Sequence, residues 1–168
     1  MFVSLLAAGW FNFSYAEDAT VSEPVSKVSA HLINAAGETV DDAALSEKPY
    51  LLFYYSAHWC PPCRKFTPKL VEFYNENGGG EAFEIVFVSA DRSEKEMREY
   101  MEGVEMPWLA VNYDDIASTG VESYASRYIP FLAMFDKEGH RIEGVPEYVG
   151  GERYVSPASV LAELQKRL

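Results

Sequence analysis

At 168 residues with 48 % apolar side chains, the chain is sized for one compact domain, which excludes a disordered or fibrous polymer. A formal net charge of −12 excludes the clustered Lys and Arg on which phosphate-backbone binding depends, so no nucleic-acid partner is expected. The two cysteines, Cys60 and Cys63, stand three apart, which excludes a scaffold stapled by disulfides spread along the chain.

Residues 1–16 are apolar and uncharged and end in Ser14-Tyr15-Ala16 before Glu17-Asp18, the pattern of a signal peptide, although no Lys or Arg precedes Lys27. Export to the periplasm or beyond the cell is therefore expected, with a buried N-terminal segment of a cytoplasmic protein as the competing reading. Stable membrane insertion is not expected, because the run is shorter than the ~20 residues a bilayer requires. Residues 17–27 read as a linker and 28–168 as one domain. Two short runs around Asn34-Ala35-Ala36-Gly37 predict a hairpin between His31 and Val40.

The continuous run Tyr50-Leu51-Leu52-Phe53-Tyr54-Tyr55 predicts a strand buried on both faces. After Cys63, Phe66, Leu70 and Phe73 recur at helical spacing, with Pro68 inside the pattern and a kink expected there. A second strand is predicted over residues 83–88. Ser93 and Glu96 have capping-box spacing and open a helix whose apolar face is Met97, Tyr100, Met101 and Val104. Further strands are expected at 107–111 and 131–135, with a short helix at 118–126 between them. A turn at 136–139 leads into Arg141-Ile142. Ser156-Pro157 caps a last helix whose stripe is Val160, Leu161, Leu164 and Leu168. Strands alternating with helices indicate an α/β class, a central mixed sheet flanked by helices on both faces, with the hairpin as an N-terminal extension.

Cys60 falls where the first buried strand ends and a helix begins, so as N-cap its sulfur faces free N–H groups and the positive end of the helix dipole. Both favour a thiolate. Pro61 and Pro62 fill the first two helical positions and have no N–H, which leaves the N–H of Cys63 as the first donor in reach. One helical turn also puts Cys63 beside Cys60, within disulfide reach. Cys60 is then the attacking sulfur and Cys63 the sheltered, resolving one.

The stretch Ser56-Ala57-His58-Trp59-Cys60-Pro61-Pro62-Cys63-Arg64-Lys65-Phe66-Thr67-Pro68 closely resembles the active-site region of tryparedoxins and nucleoredoxins. Residues 85–92 and 106–111 resemble two further blocks of that family. The resemblance implies the thioredoxin fold and dithiol–disulfide exchange, with no cofactor beyond a redox-active Cys60–Cys63 disulfide and no metal. It implies protein disulfides as substrates, a protein or small thiol as electron donor, and a monomer. It places Pro130 as the cis-proline beside the disulfide and Ile129 as the residue presenting its backbone to substrate, and it gives Trp59 a shielding and docking role. Tyr54 stands where thioredoxin has a buried aspartate, which leaves Asp91 as the candidate nearby acid–base group. Phe131 follows the proline where relatives often have Thr, and a signal peptide departs from the intracellular habit of the family.

Other readings of the same residues are ordinary packing for Trp59 and Tyr54, and a helix-approach position near Ser93 for Asp91. A structural disulfide gains little from closing so small a loop. A copper-binding chaperone using His58, Cys60 and Cys63 is the alternative function, since soft thiolates suit Cu(I). A thiol peroxidase has only the same cysteine pair to work with.

Overall fold

The computed structural model describes residues 21–40 and 43–168. The signal-peptide reading of residues 1–16 lies outside them, as does the first part of the expected linker. Residues 21–27 correct the linker reading. Glu23–Ser26 forms a helical turn, α1, with Pro24 in its first turn, where a missing N–H costs nothing. Val25 and the following Val28 are buried, so this segment is part of the domain.

Around Asn34 the chain turns back on itself. Asn34 Oδ1 accepts the N–H groups of Ala36 and Glu38, each at 3.0 Å, and Ile33 bridges Thr39. The first arm of this turn is strand β1 (Leu32–Ile33), and a short helix, α2 (Ala43–Ser46), precedes the aromatic run, which forms β2 (Tyr50–Ser56). Helix α3 (Pro61–Glu76) follows, then β3 (Phe83–Ser89), α4 (Glu94–Gly103), β4 (Leu109–Val111), α5 (Ile116–Thr119), β5 (Phe131–Asp136) and β6 (Arg141–Ile142). Strands β7 (Glu147–Val149) and β8 (Glu152–Tyr154) form a separate two-stranded hairpin before α6 (Pro157–Gln165).

The main sheet has six strands in the order β1-β4-β3-β2-β5-β6. Strand β2 is central, parallel to β3 and antiparallel to β5, with Tyr54 facing Phe87 on one side and Leu132 on the other. Because side chains alternate along a strand, β2 divides between two cores. Leu52 and Tyr54 pack with Leu70 and Tyr74 of α3, Met97 and Tyr100 of α4, and Leu161 and Leu164 of α6. Leu51, Phe53 and Tyr55 pack on the opposite face with Val25 of α1, Leu45 of α2 and Ile116 of α5. Among the described residues, no helix is long and apolar enough to cross a membrane.

Four local expectations differ from the structure. Helix α3 runs through Pro68 without a break. The expected helix at 118–126 is two pieces: α5 ends at Gly120, whose φ of 70° only glycine adopts freely, and a 3-10 turn at Val121–Tyr124 follows. Ser93 does cap α4 through the N–H of Glu96 (3.3 Å), but the Glu96 carboxylate accepts the N–H of Arg92 (3.1 Å) rather than closing a box onto Ser93. Leu168 is exposed, so the stripe of α6 ends at Leu164.

Leu70 lies at the centre of the α3 contact with the sheet and is fully buried. Leu70→Ala is expected to lower the unfolding free energy by about 2–5 kcal/mol, the range for a buried Leu→Ala cavity. Urea denaturation checks it, and a loss below about 1 kcal/mol contradicts this packing.

Candidate functional site

Strand β2 is buried along its length and ends at Ser56, so the four residues that follow carry the chain from the sheet edge to α3 at the surface. Cys60 is the N-cap of α3, with Pro61 and Pro62 in the first turn, and its Sγ accepts the N–H of Cys63 at 3.3 Å. The two sulfurs are bonded, with their Cα atoms 5.2 Å apart. Cys60 keeps 4 % of its surface and Cys63 none, so an incoming disulfide meets Cys60 first. The Ile129–Pro130 bond is cis, and the Ile129 carbonyl oxygen lies 3.8 Å from Cys60 Sγ.

The loop before Cys60 is anchored by the end of β3. Asp91 accepts the His58 N–H through Oδ1 (2.7 Å) and the Ser89 hydroxyl through Oδ2 (2.8 Å), while Tyr113 donates to the Asp91 carbonyl (2.9 Å). Trp59 donates its indole N–H to the Ala90 carbonyl (3.1 Å) and lies under Arg92, yet remains 47 % exposed. A large apolar ring held this firmly in solvent is poised for contact with another molecule. Burial pushes the Asp91 carboxyl above the ordinary carboxylate range, against the lowering effect of its Ser89 and His58 bonds.

Beneath Cys63 lies a hydroxyl network that the sequence reading did not single out. Thr67, one turn after Cys63 on the same face of α3, donates to the Cys63 carbonyl at 2.9 Å. A hydroxyl has one proton and two lone pairs, so Thr67 can only accept from its other partners, the hydroxyls of Tyr54 (2.7 Å) and Tyr100. Tyr100, having given its proton to Thr67, accepts from Ser56 at 3.2 Å. All the donor directions are thereby determined, and α3 is tied to β2 and α4 in one step. Burial holds the Tyr54 phenol far above its usual pKa, so at neutral pH it is a donor and no base. The i+4 spacing of Thr67 from Cys63 was the available signal for this network.

A groove of about 380 Å³ opens beside the disulfide. Pro62, Ile129 and Pro130 form one side, and Tyr128 with residues 152–154 of β8 the other. The copper reading finds no support in the geometry. Among the described residues, the group of potential ligands that converges within 4.8 Å is Asp136, Glu138 and His140, away from the cysteines. The His58 ring instead packs against Tyr100, 5.7 Å between centroids.

A family model described as thioredoxin-like matches residues 48–141. A nucleoredoxin of Danio rerio is 49 % identical over 118 residues, covering 68 % of this chain and 28 % of the relative. The chain thus spans little more than a quarter of the nucleoredoxins it matches. A tryparedoxin of Trypanosoma brucei brucei is 38 % identical over 118 residues, 69 % of this chain and 79 % of the relative. The mixed α/β thioredoxin fold is shared with a thioredoxin from Wuchereria bancrofti, at a TM-score of 0.62 and 32 % identity over 84 % of this chain and 97 % of that one. Tryparedoxin I from Leishmania major superposes with a TM-score of 0.60 and 30 % identity over 83 % of this chain and 87 % of that one.

Thr67→Val keeps the shape of the side chain and removes the oxygen that both phenols need. It is expected to cost about 1–3 kcal/mol for each phenol left without an acceptor, with Thr67→Ser recovering most of the loss. Equal stability of the Val and Ser variants in urea contradicts the network. Asp91 gives a pH signature. Its carboxyl holds a proton more tightly folded than unfolded, so its contribution to stability is full below the unfolded value and lost as pH rises through the folded one. Asp91→Asn is expected to remove that downward slope above about pH 4. Glu84, raised by burial in β3, leaves a slope of the same sign in both proteins. Parallel stability–pH curves for wild type and variant contradict the assignment.

Proposed function

The chain belongs to the thioredoxin-like family, with tryparedoxins and nucleoredoxins among its relatives, and from that premise we propose that it reduces protein disulfides by dithiol–disulfide exchange through Cys60 and Cys63. The observation that carries this reading is the capped sulfur of Cys60. It sits at the surface end of α3, accepts the Cys63 N–H, and lies one helical turn from the second sulfur.

In the reduced protein, the Cys60 thiolate attacks one sulfur of a partner disulfide. A bond forms between Cys60 and that sulfur, and the partner's other sulfur leaves as a thiolate that takes a proton from water. Cys63, as thiolate, then attacks Cys60 Sγ, forms the internal disulfide and releases the partner's second thiol. The partner gains two electrons and the Cys60–Cys63 pair loses two, to be restored by a donor thiol or dithiol.

Neighbouring residues take supporting roles in this scheme. Ile129, at the cis bond, offers its backbone to the substrate chain, and Pro130 keeps side chains clear of the sulfurs. Trp59 supplies an apolar docking face. Tyr54 and Asp91 act by position, through Thr67 and through the His58 N–H respectively. Pro61 and Pro62 restrict Cys60 to one helix donor, which limits how far the thiolate is stabilised. Limited thiolate stabilisation favours the disulfide form and hence a reducing pair.

The test is the equilibrium of the cysteine pair against glutathione together with insulin reduction. A reduction potential nearer to about −270 mV than to −120 mV is expected. Cys60→Ser is expected to abolish turnover, and Cys63→Ser to trap a mixed disulfide with the partner. Normal turnover by Cys60→Ser, or a potential at the oxidising end, overturns the reductase assignment.

A further inference from the structure

Resting on the oxidoreductase reading, we propose that the groove walled by the β7–β8 hairpin selects protein disulfides that carry a bulky, uncharged apolar side chain beside the reactive cystine. The groove is continuous with the sulfur site. Pro62 belongs to the first turn that Cys60 caps, and Ile129, whose carbonyl lies 3.8 Å from Cys60 Sγ, lines the same side. A chain held with its disulfide at Cys60 therefore presents its neighbouring side chain to this space. At about 380 Å³ the space falls at the lower end of ligand-pocket sizes, enough for one large side chain.

The opposite wall is stiff. Tyr128 and Tyr154 meet edge to face with centroids 6.4 Å apart. The hairpin behind them closes through Gly150 and Gly151, both at positive φ (62° and 86°), a tight two-residue turn. Residues 147–154 lie beyond the segment 48–141 that matches the family model, so this wall is not part of the shared framework.

Charge decides the nature of the occupant. Glu152 accepts from Arg127 and, at 3.0 Å, from the Tyr128 hydroxyl, and Arg153 is bonded to Glu143. Each charge on the hairpin rim already has an opposite partner, so the groove holds no unpaired charge to attract an acidic or basic side chain. An incoming charge would lose water and gain nothing in return. An apolar side chain gains burial against two tyrosines and two prolines.

The experiment uses cystine-linked peptides, identical except for Leu, Gly, Glu or Lys on both sides of the cysteine, and hydroxyethyl disulfide as a substrate without side chains. For the wild type, kcat/KM on the Leu peptide is expected to exceed that on the Gly peptide roughly tenfold, with the Glu and Lys peptides no better than Gly. Tyr128→Ala and Tyr154→Ala are each expected to lower the Leu-to-Gly ratio below about threefold. The ratio is independent of how much protein is active, and Tyr128 is 47 % exposed, so its truncation spares the core. A wild-type ratio near one, a preference for Glu or Lys, or variants that keep the full ratio overturns the proposal. Failure of the wild type to reduce even hydroxyethyl disulfide overturns the oxidoreductase reading, and this proposal with it.

Discussion

Where β2 gives way to α3, one backbone N–H governs the chemistry of the site. Two successive prolines remove the donors that ordinarily crowd a helix N-terminus. The N–H of Cys63 is left to meet the Cys60 sulfur at 3.3 Å. The residue that supplies this donor also carries the second sulfur, so the cap and the disulfide share one geometry, and a shift of the first turn disturbs both. Much of the surrounding structure holds that turn in place. Thr67 binds the Cys63 carbonyl from one turn further on and is itself gripped by Tyr54 of β2 and Tyr100 of α4. Asp91 fixes the approaching loop through the His58 N–H.

This arrangement also settles what lies beneath the cysteines. A buried carboxylate six residues before the first cysteine would offer a proton acceptor there. Tyr54 does not, because burial keeps its phenol protonated and its proton is committed to Thr67. Thr67 has no lone pair to spare once it has accepted from both tyrosines. Asp91, the other candidate, spends its two oxygens on the His58 N–H and the Ser89 hydroxyl. The hydroxyl network is therefore a clamp, and the resolving cysteine must exchange its proton on the side that opens toward solvent and substrate.

The central strands, the cap at Cys60 and the Ser156 cap of α6 were legible in the sequence because each is a local pattern with a local cause. Six apolar residues in a row have few alternatives to a doubly buried strand, and an N-cap followed by proline reads the same in any fold. Long-range partners were less legible. Nothing near Thr67 announces Tyr54 and Tyr100, which come from two other elements, although its spacing from Cys63 pointed to the right helix face. The β7–β8 hairpin was missed because its exposed strands are only three residues long and lack apolar alternation. Gly150-Gly151 was a usable turn signal. The linker reading failed for a related reason: Val25 and Val28 are isolated apolar residues among polar ones, and only the packing shows that both are buried.

Two electrostatic length scales operate on this protein and act on different steps. The net charge of −12 produces a field that reaches partners over a Debye length, about 8 Å at physiological salt, and so influences the rate of encounter. Arg64 and Lys65, exposed beside the cysteines, moderate that field only slightly. Within contact distance of Cys60 the situation changes, because the hairpin's charges are paired among themselves and the groove presents tyrosine and proline surfaces. Added salt weakens the encounter field but leaves apolar contact in place. Charge therefore bears on how often a client arrives, and shape and apolar fit on whether its disulfide stays long enough beside Cys60 to react.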